Sequence, residues 1–261
     1  MDNKSWRIKE FLIKKALLKN LVIKNLRNRY SNTLLGFLWT VLTPLLISLI
    51  ISFVFIHIMQ VRIDNFISYV ISGMLPWICF STSLQESLTS LVDNAGLWRQ
   101  FRVPLEFIPA SCVIINFLNL IIGLTVALAF FIKSSPKVVL YFFLMPVPLI
   151  LHFIFTLGIS FLLSSLYVRR KDIAYLLNIF LLFWLWSSPV FYLLDRFPLH
   201  IQRLSNLNIM LPFLNLYRSI FYKHVFFDFK DLFLCVCLSL FSFIYGYRFF
   251  INQEHLIKKT L

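Results

Sequence analysis

Phe180, Trp184, Ser187 and Phe191 recur at helical spacing in this chain, and Phe183, Trp186 and Val190 form a second stripe beside them. Aromatic faces set along one helix can stack on the apolar faces of sugar rings and still let them slide, because the contact is broad and carries few directional bonds. Lipid-facing phenylalanine and interfacial belts of tryptophan or tyrosine are the competing explanation of the same residues. With 30 Phe, 10 Tyr and 6 Trp, aromatics make up 18% of the chain, so position along a helix, not abundance, has to select among them.

Hydrolytic and group-transfer chemistry has no comparable footing. The loop G-x-x-x-x-G-K-[ST] does not occur and the six glycines are scattered, so the chain is not expected to hydrolyse ATP by itself. His57, His152, His200, His224 and His255 fall in different segments, with no H-E-x-x-H and no triad, and read as packing or interfacial residues. Cys79, Cys112, Cys235 and Cys237 lie inside apolar stretches as small hydrophobes. No metal is expected, because the C-x-C pair lacks nearby histidine or acidic partners. A membrane-embedded enzyme using Glu86, His152 or Asp195 would need several polar groups at one depth, and no such set is visible. Glu86 falls near one membrane face, which leaves the middle of the spans almost free of charge. That argues against transport driven by protons or sodium and for movement powered by an external ATPase.

These residues must be positioned by long apolar elements. Stretches of about 20 apolar residues are needed to cross a hydrocarbon core of about 30 Å, and six qualify: Leu34 to Met59, Phe66 to Val92, Phe107 to Ile132, Leu140 to Leu166, Ile173 to Leu194 and Leu232 to Ile251. They show no strand-like alternation, and helices satisfy their own backbone in lipid. A hydrophobic fraction of 59% and a mean hydropathy of +0.81 leave little material for a soluble domain. The expected fold class is all-α: a polytopic membrane protein with six transmembrane helices, an N-terminal amphipathic interface helix and short outer re-entrant helices between spans 5 and 6. One transmembrane domain, 1–261, is expected to divide into the interface helix (1–33), the six-span bundle (34–251) and a cytoplasmic tail (252–261).

The net charge of +14 suits anionic lipid and topology better than nucleic acid. With both termini in the cytoplasm, seventeen of the 25 Lys and Arg fall on the cytoplasmic side, nine of them before span 1, which fits the positive-inside rule. The first apolar run is too long for a cleaved signal peptide, so span 1 is expected to remain. On a helical wheel, Ser5 to Arg29 places Ile8, Phe11, Leu12, Ala16, Leu18, Val22, Ile23 and Leu26 on one half, with Ile13, Leu17 and Leu21 straying from it and Lys15 and Lys19 intruding on it. This predicts a basic helix in the headgroup region; a plain topology signal is the alternative. Between spans 5 and 6, Asp195 to Lys230 is long, partly apolar and punctuated by Pro198 and Pro212. Leu199 to Leu207 and Leu214 to Tyr222 are too short to span and read as interfacial or re-entrant helices, or as a loop packed over the bundle.

Four blocks resemble the membrane-spanning permeases of ATP-binding-cassette exporters for cell-surface polysaccharides, the family serving O-antigen, capsule and teichoic acid export. They are Leu26-Arg27-Asn28-Arg29-Tyr30 with Leu35-Gly36-Phe37-Leu38-Trp39 and Thr43-Pro44-Leu45; Gly73-Met74-Leu75-Pro76-Trp77; Asn94-Ala95-Gly96-Leu97 through Val103-Pro104-Leu105-Glu106-Phe107-Ile108-Pro109; and Arg170-Lys171-Asp172-Ile173 leading to Trp186-Ser187-Ser188-Pro189-Val190-Phe191-Tyr192. Leu211-Pro212-Phe213 with Tyr217-Arg218 echoes the family's outer segment. Leu105 stands where the family usually has arginine, and Lys171 interrupts the usual Arg-Asp pair.

The resemblance implies a homodimer of six-span subunits in the bacterial inner membrane, with a pore at the interface and two copies of a separate ATPase, which binds ATP and Mg; no cofactor is expected in this chain. It implies a substrate channel using Trp39, Phe180, Phe183, Trp184, Trp186, Phe191 and Tyr192. Contact with the ATPase would involve the N-terminal helix and Asn94, Leu97, Trp98, Arg99, Phe101, Pro104 and Glu106. Pro212, Tyr217 and Arg218 would belong to an outer gate. Arg27, Arg29 and Arg102 suit the pyrophosphate of a lipid-linked glycan, or equally lipid headgroups and topology. The cargo expected is O-antigen first and capsule next; a lipid, drug or other small molecule is the nearest alternative.

Overall fold

A computed structural model describes residues 16–26, 36–96, 104–193 and 207–260, together with Pro198, Gln202 and Ser205. These residues form helices with no strand among them: α1 (16–26), α2 (Trp39–Phe53), α3 (Phe66–Asp93), α4 (Phe107–Ser134), α5 (Pro146–Arg169), α6 (Ile173–Ser187), α7 (Leu211–Arg218) and α8 (Phe229–Thr260). A π-helical turn, Val54–Ile58, prolongs α2, and another, Ser219–Lys223, prolongs α7. Among the described residues five helices are long and apolar enough to cross a membrane: α2 with its π-turn, α3, α4, α5 and α8.

The stretch 173–194, expected as a full span, is helical only over Ile173–Ser187. At about 1.5 Å per residue that is about 22 Å, short of a hydrocarbon core of about 30 Å. Pro189 sets the stop. A residue before proline avoids the helical region, and Ser188 is extended, with φ −92° and ψ 136°. The stretch 140–166 also begins differently. A helical turn, Val138–Tyr141, and a 3-10 turn, Phe142–Leu144, precede α5, which opens on Pro146, where a missing N–H costs nothing.

α3 is the central element: 78% of its apolar window is buried, against 22% for α2 and for α8, which therefore flank the bundle. Its serines allow this. Ser72, Ser83, Ser87 and Ser90 are buried, and each hydroxyl donates back to a carbonyl of its own helix, so no polar atom is stranded. The closest crossing joins α5 to α8, where Gly158 and Gly246 meet backbone to backbone; a Cβ on either would collide with the other helix's main chain. Ser239 Oγ donates to Leu151 O at 2.7 Å and Ser242 Oγ to Phe155 O at 3.2 Å along the same seam. Small residues at such spacing let helices approach in a medium where hydrophobicity does not drive them together.

α1 closes one end of the bundle, where Leu91, Leu105, Ile108, Phe161, Phe250 and Ile257 cluster. It is tied there by Lys24 Nζ to Asn94 Oδ1 (3.4 Å) and by Asn25 Nδ2 to Ser111 Oγ (3.1 Å). Leu21, which strays from the apolar half of the helical wheel, is the buried residue, while Ile23 on that half is 45% exposed. Docking on α3 and α4 chooses the protein-facing side: Leu17, Leu18, Val22 and Leu26 are half-buried, and Ala16 and Ile23 are exposed.

Candidate functional site

The break after α6 organises the opposite end of the molecule. Ending a helix leaves its last carbonyls without partners, and here side chains from elsewhere supply them. Asn208 Nδ2 donates to Ser187 O (3.2 Å) and to Ser188 Oγ (2.8 Å). Its Oδ1 accepts from Trp184 Nε1 at 2.8 Å and from the Met210 backbone N at 2.9 Å. One amide thus fixes the end of α6, the Trp184 indole and the approach to α7.

Arg218, at the end of α7, is 3% exposed and completes the junction. Its Nη2 donates to Pro189 O and, at 3.0 Å, to Val190 O, while its guanidinium carbon lies 3.9 Å from the centre of the Tyr69 ring. The Tyr69 hydroxyl in turn reaches Tyr192 O (2.8 Å) and Pro189 O (3.2 Å). A planar cation serves here because one of its NH2 groups can donate to two carbonyls while its plane stacks on an aromatic face. Gly73 makes the room: a Cβ there would stand 3.1 Å from Arg218 Nη2 and 3.2 Å from Val190 O. Three sequence blocks, Gly73 to Trp77, Ser188 to Tyr192 and Tyr217-Arg218, therefore meet around one guanidinium.

Beside this junction lies a cavity of about 610 Å³ lined by Phe180, Phe183, Trp184, Trp186, Tyr192 and Asn208 among others. Five of the seven aromatics expected to line a channel are thus brought together. Phe183 and Trp186 are strongly exposed, at 68% and 59%, whereas Trp184 is held edge-on against Trp77 and Phe80 at 5.9 and 5.3 Å. Phe191 is buried instead, against Phe55 and Trp186, and Trp39 lines a separate cavity between α2, α3 and α4. Pro212 opens α7 and is buried; Tyr217 is fully buried with its hydroxyl 3.3 Å from His152 Nδ1.

At the α1 end, Asn94 Nδ2 donates to Ser90 O at 2.9 Å and Asn94 Oδ1 meets Lys24, while Pro104 and Glu106 form the turn into α4. Leu105 is buried at 1% exposure, an apolar plug in that end's core. Arg27, Arg29, Leu97, Trp98, Arg99, Phe101, Arg102 and Asp195 lie outside the described residues. Glu86 accepts a hydrogen bond from Asn116 Nδ2 at 2.8 Å, and His152 sits in a cage of Phe80, Phe117, Phe213 and Tyr217. Among the described residues no group of three or more histidine, cysteine or acidic side chains could hold a metal ion. Sequence reasoning did not single out Tyr69 and Asn208, whose roles depend on carbonyls distant in the chain. Gly73 stood in a recognised block without a role.

The family model for ABC-2 type transporters matches residues 16–222, well over half the chain. The chain belongs to the ABC-2 type transporter family. This ABC-2 protein is accordingly a membrane subunit of a transporter and not an enzyme. It is 30% identical over 201 residues to the O-antigen export system permease protein RfbA of Myxococcus xanthus, covering 76% of this chain and 77% of that one. Two proteins of the same description from Klebsiella pneumoniae are each 28% identical, one over 201 residues (77% and 78% of the two chains) and one over 174 (66% and 67%). The match includes the junction around Arg218, which falls within the family's span.

Proposed function

We propose that this chain is the permease of an ATP-driven exporter that carries a lipid-linked polysaccharide, O-antigen first and capsule next, from the cytoplasmic to the outer side of the bacterial inner membrane. The observation that carries the reading is the aromatic cavity at the end of α6, in a chain whose relatives bear the name of O-antigen export permeases. Broad aromatic surface with one amide at its edge suits a glycan that must be held weakly at many successive positions.

In this reading α1 and both termini face the cytoplasm, as the distribution of lysine and arginine favours, and the junction around Arg218 faces outward. Five full spans and the shorter α6 make six crossings, with α7 re-entering from the outer side. Two copies form a homodimer above two ATPase subunits that bind ATP and Mg. ATP-driven closure of the ATPases moves the α1 end of the bundle, where Asn94, Pro104 and Glu106 lie beside the coupling segment, and the motion opens the path along α2 and α6.

The test is deletion of the gene, with surface polysaccharide and lipid-linked polymer inside the cell quantified together. Loss outside with accumulation inside is expected. Unchanged amounts on both sides would overturn the glycan assignment and favour a lipid or small-molecule cargo.

A further inference from the structure

The cavity that holds Trp39 is separate from the aromatic cavity of α6. It measures about 350 Å³ and lies between α2, α3 and α4, walled by Trp39, Thr40, Thr43, Thr82, Asn116 and Asn119 over an apolar floor. Thr82 stands about 16 Å from the Asp93 end of α3 and Asn116 about 14 Å from the Phe107 end of α4, at about 1.5 Å per residue, so the polar wall sits within the bilayer. Polar side chains at such depth are costly and mark ligand or substrate paths.

Thr82 and Asn116 in this wall are bonded within the protein, to Ile78 O and Glu86 among others, but one hydroxyl is not. Elsewhere in the bundle Ser48, Ser52, Thr125 and Thr156 each donate to the carbonyl four residues back. Thr40 does not: its Oγ1 is buried with no hydrogen-bond partner, so a χ1 rotation turning the hydroxyl into the cavity would break no bond. Its carbonyl is relieved too, because Pro44, which also lines the cavity, has no N–H to donate to it. Among the described residues no lysine, arginine, aspartate, glutamate or histidine lines the space. These lining residues offer a phosphate no countercharge, whereas they offer a neutral polyhydroxylated ring hydroxyls, amides and the indole of Trp39, which is 44% exposed. The volume is at the lower end of small-ligand pockets, about 300 to 1,000 Å³.

We infer that the cavity between α2, α3 and α4 is an intramembrane binding site for one neutral sugar unit of an amphiphilic glycoside, distinct from the aromatic cavity along α6. The inference rests on the export reading for its biological ligand, but the site is tested on its own.

The full-length chain is reconstituted in phosphatidylethanolamine and phosphatidylglycerol vesicles and exposed to an octyl glucoside carrying a photoreactive diazirine on the sugar. Labelled peptides are mapped by mass spectrometry. Labelling is expected in the segments around Trp39 to Thr43 and Asn116 to Gly123, competed by octyl glucoside and not by a phosphocholine of the same chain length. Gly123→Leu should fill the space, since a Cβ at Gly123 meets only Leu75 at 3.6 Å, and should cut labelling by about tenfold, equivalent to about 1.4 kcal/mol. Thr40→Val should cut it by about fivefold, the loss of one hydrogen bond, with no fall in thermal midpoint, because the hydroxyl has no partner to lose. Equal competition by both headgroups, indifference to Gly123→Leu, or absence of label from these segments would overturn the site. Unchanged polysaccharide on gene deletion would instead overturn the export reading and leave the labelling result standing.

Discussion

Replacing Arg218 with leucine would remove the cation that holds the broken end of α6. The side chain makes two hydrogen bonds, to Pro189 O and Val190 O, and stacks on Tyr69 at 3.9 Å. Charge-assisted bonds contribute about 1.5–3 kcal/mol each and a desolvated cation–π contact about 2 kcal/mol. These cannot simply be added, since one group makes all three and its own burial opposes them. Leaving a buried acceptor without its donor costs about 1–3 kcal/mol, and with two carbonyls affected we take about 2–6 kcal/mol as the expected loss. At about 2–4 °C per kcal/mol for a chain of this size, the thermal midpoint should fall by roughly 10 °C, followed by size-exclusion fluorescence of detergent-solubilised protein. Arg218→Lys should recover part of the loss, because an ammonium keeps the charge and its donors but has no planar group to stack on Tyr69. Tyr69→Phe keeps the ring and loses only the hydroxyl's bonds to Tyr192 O and Pro189 O, for about 1 kcal/mol. If Arg218→Leu left the midpoint unchanged while altering export, the guanidinium would act as a gate without bracing the junction, and the reasoning would fail.

Gly158→Ala and Gly246→Ala should each destabilise the α5–α8 crossing by about 1–3 kcal/mol or more, because the added carbon meets backbone that cannot rotate aside; Gly123→Ala, with ordinary contact at 3.6 Å, is the control that should hold its midpoint. Asn208→Ala should speed amide hydrogen exchange at residues 184–190 and lower stability by about 1–3 kcal/mol, since the carbonyl of Ser187 and the indole N–H of Trp184 both lose their partner. Phe183→Ala should leave the thermal midpoint nearly unchanged, given 68% exposure, yet reduce surface polysaccharide; Trp184→Ala should lower the midpoint as well, because its ring packs on Trp77 and Phe80. Equal thermal effects from the two substitutions would refute this division.

Helix positions were legible because each depends on local hydrophobicity. The stretches 66–92 and 107–132 reappear as Phe66–Asp93 and Phe107–Ser134 with little change at their ends. Two differences follow prolines: Pro189 cut the stretch from Ile173 to a 15-residue helix, and Pro146 restarted the one from Leu140; α8 instead runs past the expected end at Ile251 to Thr260, through most of the expected tail. The aromatic stripe of α6 was visible from its spacing, and five of its expected members line one cavity. Trp39 and Phe191 went elsewhere, because a residue's type does not say which neighbour its helix face will meet. The wheel for α1 left Leu21 off its apolar half, and docking on α3 and α4 buries it there, because the wheel sorts residues by polarity and docking sorts them by contact.

The sequence by itself determined a helical membrane protein, through runs of apolar residues that have no stable alternative in lipid, and its lysines and arginines carry the bias that orients such a chain. The tertiary structure decided what Arg218, Tyr69, Gly73 and Asn208 do, because each serves carbonyls or side chains distant in the chain and exposed only where a helix breaks. It also decided that Thr40, Thr82, Asn116 and Asn119, scattered over three helices, share one cavity. Burial in a membrane follows from composition along the chain, whereas a polar site follows from which helix faces meet, and only packing sets that.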